Sequence, residues 1–199
     1  MSNPRFPQFV SNIDRARELV GLGQSLAGMT YGRVDATDMY RAALVQAVAA
    51  LDAYVHGVVL DYGVEILAGR RSPGRTNQVG LHFGAVSDIL NSDTTIDLEL
   101  RARVHVAERL SRETFQKPDD IAKAFSMVGV GKLWSVAFGN HANFITTALS
   151  LTVSRRNQIV HSCDVDPLNP LEVVPLTDED ALSAAGTVRE VVNGIDLIV

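Results

Sequence analysis

Between Met39 and Leu67 the chain reads MYRAALVQAVAALDAYVHGVVLDYGVEIL, dense in alanine, leucine and valine. Residues of that kind on nearly every side of a helix leave no face content with water. A helix built this way must be wrapped by others, so the stretch predicts the central member of a helical bundle. Asp38 is placed to cap its start, and Gly69 to end it in a left-handed turn. Asp52, His56, Asp61 and Glu65 interrupt the apolar run from Ala42 to Leu67 and argue against a membrane span.

The remaining segments carry helical signals as well. SNIDRARELVGLGQSLAG, from Ser11, spaces Ile13, Leu19, Val20, Leu22 and Leu26 loosely at helical intervals. Thr76 to Leu90 reads as a weaker helix, thinned by Gly80 and Gly84. Thr95 is expected to cap IDLELRARVHVAERLSRETF, with Leu98, Val104, Val106 and Leu110 as its apolar positions. KPDDIAKAFSMVG is a helix start, with Pro118 in the first turn and Asp119 and Asp120 at the positive end of the dipole. Trp134 opens a further element, and Asn143 to Ile159 form another helix.

DVDPLNPLEVVPLTDED holds three prolines without helical period, which predicts an extended connector. Thr177 then caps a last helix running to Val199. No repeat and no run of alternating β-branched residues is long enough to suggest a sheet. The expected fold class is all-α: a helical bundle forming a single domain over residues 1–199, with one extended connector before the last helix.

Charge and cysteine content restrict the partners. A formal net charge of -5 provides no overall basic field for nonspecific binding of duplex DNA. The dense basic stretch is GRRSPGRTN, where Arg70, Arg71 and Arg75 surround Pro73 and Gly74; it reads as a solvated loop or as a local phosphate-contacting patch. Cys163 is alone, so no intramolecular disulfide forms, and a reducing compartment suits the chain. It is expected to be a partly buried small residue. The start, MSNPRFPQFV, lacks the apolar region of a secretory signal. A cytoplasmic protein is expected.

The chemistry concentrates at SRRNQIVHSCDVDP, Ser154 to Pro167. Four residues separate Arg156 from His161. With 15 arginines and 5 histidines in the chain, one fixed spacing arises by chance about 0.4 times, so context has to carry the pattern. Asn157 stands four residues before His161, on the same helical face and within reach of a hydrogen bond. Arg156 is turned about 140° from His161 on a regular helix. One helix therefore cannot close both around a phosphate, but two copies packed about a two-fold axis can.

RNQIVH, after a long apolar helix and before DVDP, resembles the HEPN (higher eukaryotes and prokaryotes nucleotide-binding) domains, whose mark is an arginine, four to six residues often begun by Asn, Asp or His, and a histidine. ALVQAVAALDAYVHGVVLD resembles the central helix of the RiboL-PSP type. TFQKPDDIAKAF before Trp134, and DVDP through PLTDEDALSA, are similar to that group too. Arg155 offers a second arginine at a permitted spacing, but Asn157 directly follows Arg156.

The resemblance implies a bundle of four or five core helices with extra helices, often dimeric, and in many members a metal-independent endoribonuclease. Arg156, Asn157 and His161 are the catalytic candidates. Arg156 would clamp the phosphate, His161 from two subunits would take and give protons, and Asn157 would orient the imidazole or contact a non-bridging oxygen. RNA is the implied substrate, with a 2′,3′-cyclic phosphate product and no cofactor or metal. A homodimer is implied, and a toxin or phage-defence role adds an antitoxin or regulatory partner. The alternative is a non-catalytic module that binds a nucleotide or a protein.

Supporting candidates are Arg155, Asp164, Asp166, Asp52 and His56. Asp164 and Asp166 either cap the chain reversal before Pro167 or pair with Arg155 or Arg156. Asp52 and His56 form either a pair at a bundle seam or a shell beside the Arg156 helix. His82, His105 and His141 have no metal-binding spacing and read as surface or packing residues. Phe115, Phe125 and Trp134 read as core, with a base-stacking role as the alternative.

Overall fold

A computed structural model of the chain describes residues 3–31, 33–73 and 79–199. Its elements are α1 (Phe6–Met29), α2 (Thr37–Leu67), α3 (Phe83–Leu90), α4 (Thr95–Leu110), α5 (Pro118–Met127), α6 (Leu133–Phe138), α7 (Ala142–Ser162) and α8 (Asp178–Asp196). A 3₁₀ turn at Gly139–His141 joins α6 to α7. Among the described residues there is no strand, and the β-pairing present is one bridge between Val165 and Val173. The all-α bundle expected from the sequence is what forms.

Helix α2 is its axis, in contact with α1, α4, α5, α7 and α8. Leu44, Ala47, Val48, Leu51, Val55, Val58 and Val59 are buried along it. By length and composition α2 would suffice to cross a membrane, yet more than half of its most apolar window lies inside the bundle. Alanine and glycine let neighbours come close. A Cβ on Gly194 of α8 would sit 2.3 Å from the Phe138 ring, so a side chain there requires the ring to move. Helix α8 meets α2 through Ala185, Val188, Val192 and Ile195, spaced three or four apart.

The helix ends follow local chemistry, with several offsets from the sequence reading. Helix α5 starts at Pro118, and α8 starts with a full capping box between Thr177 and Asp180. Helix α1 begins at Phe6 rather than Ser11, where Pro7 favours a first turn. Ala36, not Asp38, is the cap residue of α2, and Asp35 accepts the Thr37 N–H at 2.9 Å. Thr94, one residue before the expected cap, accepts the Asp97 N–H of α4, which stops at Leu110. Val104 is exposed, whereas Val106 and Leu110 are buried as expected and Ala102 faces inward with them. Helix α3 begins only at Phe83, capped by His82; residues 76–78 of its expected start lie outside the described residues.

Candidate functional site at the end of helix α7

Helix α7 stops because Cys163 and Asp164 both turn left-handed, at φ 50° and 59°. Such a conformation costs about 1–3 kcal/mol at each non-glycine residue and persists only where surroundings enforce it. Here a buried carboxylate supplies the enforcement. Asp164 is fully buried, and its Oδ2 accepts from Arg41 Nε of α2 and from Arg155 Nη2, each at 2.8 Å. Its Oδ1 accepts from Arg155 Nη1. Both guanidiniums also reach the Val174 carbonyl, Arg41 at 3.0 Å and Arg155 at 3.1 Å. The Val174 N–H donates to the Asp164 carbonyl at 2.8 Å and closes the connector into a small hairpin. Of the alternatives open to Asp164, pairing with Arg155 is the one realised, and Arg41, which nothing in the local pattern singles out, completes it.

Arg156 is placed differently. Its Nη1 donates to Asn157 Oδ1 at 3.1 Å, its Nε is sealed from water without a partner, and among the described residues it has no ion pair. His161 is exposed in the last turn of α7 and has no hydrogen-bond partner among the described residues. Asn157 therefore holds Arg156 rather than the imidazole. Asn157 also closes one end of a 510 Å³ groove between α7 and the start of α5, with Lys117, Thr147 and Ser154 among its walls. One helix end thus carries a guanidinium without a counter-ion, an amide that orients it and an open imidazole, all within about one and a half turns.

The other candidates lie apart from this tip. Asp166 Oδ1 accepts the Leu168 N–H at 2.8 Å, the chain-reversal role. Asp52 Oδ1 accepts the Phe115 N–H at 2.6 Å. His56 places Nδ1 2.9 Å from the Asp52 carbonyl and Nε2 3.2 Å from the Leu110 carbonyl. Carbonyls only accept, so both ring nitrogens are best served when protonated. Burial opposes the charge, but Asp52 and these carbonyls outweigh it and hold the His56 pKa above its ordinary value. This pair ties α2 to the end of α4 and the Phe115 segment, with no bond to Arg156.

Arg70 is spent on Glu65 and Glu99. Arg71 lies 3.6 Å over the Tyr62 ring and donates to the Val128 carbonyl. Arg75 lies outside the described residues. Cys163 is exposed, contrary to expectation, because the left-handed turn that buries Asp164 carries its neighbour outward. Phe115 and Phe125 are core, and Trp134 is half-buried with Nε1 donating to the Pro118 carbonyl at 3.0 Å. His82 and His105, far apart in sequence, come together with ring centroids 6.2 Å apart, and His105 Nε2 lies 2.8 Å from Asp88. Among the described residues, no three His, Cys, Asp or Glu side chains converge on a point that could hold a metal ion.

Compared with protein-family models, curated proteins and solved structures, the chain finds no match.

Proposed function

We propose that the chain is a metal-independent endoribonuclease of HEPN type, working in the cytoplasm as a homodimer whose two α7 tips form one site. The observation that carries the reading is Arg156: a guanidinium without a counter-ion, oriented by Asn157, on the same helix end as a solvent-open histidine. Water alone offsets that charge in the free chain, and a scissile phosphate would supply the anion.

In this mechanism the imidazole of one His161 takes the proton of the ribose 2′-hydroxyl, whose oxygen attacks the adjacent phosphorus. The P–O5′ bond breaks, and the partner's His161 protonates the departing 5′-oxygen. Arg156 offsets charge on the non-bridging oxygens. The products are a 2′,3′-cyclic phosphate and a 5′-hydroxyl, and DNA is inert. A toxin or antiviral effector with an antitoxin or regulatory partner is the biological setting that fits.

The second reading, a non-catalytic module binding a nucleotide or a protein, draws on the basic loop. Among the described residues of that loop, Arg70 is held by two glutamates and Arg71 by Tyr62, so neither guanidinium is free for an RNA backbone. His161→Ala separates the two. The nuclease reading expects cleavage of a single-stranded RNA to vanish while circular dichroism and solution mass, about twice that of the chain, stay unchanged. Equal cleavage by wild type and variant contradicts it.

A further inference from the structure

We infer that Arg41, on α2, is a positioning residue for His161; the inference rests on the nuclease reading only for its kinetic consequence. Between Val153 and Asp164 no residue of α7 or its cap is buried, and Val160 through Cys163 are all exposed. The turn that carries His161 therefore packs against the core through the partly buried Ile159, while Val160 through Cys163 lie outside it. The first firm anchor after it is Asp164, three residues on.

The two arginines on that anchor do different work. Arg155 belongs to α7 itself, so its bonds join the helix end to the connector and add nothing to the packing of α7 on α2. Arg41 belongs to the central helix. Its Nε bond to Asp164 and Nη2 bond to the Val174 carbonyl tie that joined unit to the bundle axis. Asp38, 3.1 Å from Arg41 Nη1, sets the guanidinium from its own helix. Arg41 touches neither His161 nor Arg156 among the described residues, so it acts through the position of the turn. Catalytic groups displaced by about an ångström lose one to two orders of magnitude in rate.

The test uses the full chain with Arg41→Gln and Arg41→Lys. On a single-stranded RNA oligonucleotide, Arg41→Gln is expected to lower kcat about 10- to 100-fold with KM within about twofold. Arg41→Lys is expected to recover part of that loss, because an ammonium still reaches Asp164. A nitroxide on Cys163, the lone cysteine, reports the turn directly. Its spectrum should gain a mobile component in Arg41→Gln and keep the wild-type shape in His161→Ala. If wild type cleaves and Arg41→Gln leaves kcat unchanged, the inference is overturned. If wild type does not cleave, the nuclease reading falls by itself and the nitroxide decides: added mobility upholds the tether, an unchanged spectrum overturns it. Should Arg41→Gln not fold, Arg41→Lys carries the same comparisons.

Discussion

Helix α2 and the end of α7 solve opposite problems. Along α2 the buried face from Ala43 to Val64 is apolar, and position follows from area removed from water. At the α7 end the side chains are polar, the backbone is left-handed, and position follows from a few directional bonds on Asp164. A bundle axis tolerates small changes because many contacts share the load. A tip held by one carboxylate does not. That contrast is what a site on a helical scaffold requires: reacting groups open to solvent, with their coordinates borrowed from a core that lies elsewhere.

Asp164→Ala should give the largest loss. It removes the buried carboxylate from two guanidiniums, 10% and 19% exposed, and leaves Arg41 with the exposed Asp38, which costs about 3–5 kcal/mol in urea unfolding. A loss under about 1 kcal/mol would put the clamp in the class of surface pairs and break the comparison. Leu51→Ala, at a fully buried side chain of α2, should cost about 2–5 kcal/mol while leaving the spin-label signature of the tip unchanged. A loosened tip in that variant would show that the two regions are not independent.

The smallest expected effect is a pH dependence at the α2–α4 seam. The folded pKa of His56 is raised, so its contribution is complete below the unfolded value of about 6.5 and fades as pH climbs through the folded value. Wild type should therefore lose stability from mildly acid to mildly alkaline pH, and His56→Gln should flatten that part of the urea-midpoint profile. An unaltered slope in His56→Gln would assign the effect to another group.

Much of the bundle could be read from residues alone. The α2 pattern, Pro118 at the head of α5 and the Thr177–Asp180 box are local signals, and each acts within a turn or two. Boundaries moved by one residue where the capping choices were neighbours, as with Thr94 and Thr95, and by several at the starts of α1 and α3. The tip was legible only in part. Arg155 and Arg156 stand side by side, and their roles differ because adjacent residues point about 100° apart on a helix, one toward Asp164 and one away. Arg41 lies 123 residues from Asp164, and no spacing rule reaches that far. The exposure of Cys163 depends on a left-handed turn enforced from α2. The meeting of His82 with His105 depends equally on tertiary packing.

That division between neighbouring arginines gives the most direct measurement of the account: cleavage of a single-stranded RNA and thermal stability, side by side, for Arg155→Ala and Arg156→Ala, with chelator present. Arg156→Ala should melt like wild type and form no 2′,3′-cyclic phosphate ends, while Arg155→Ala should melt well below wild type. Undiminished cleavage by a folded Arg156→Ala would contradict the assignment of the α7 end as the site.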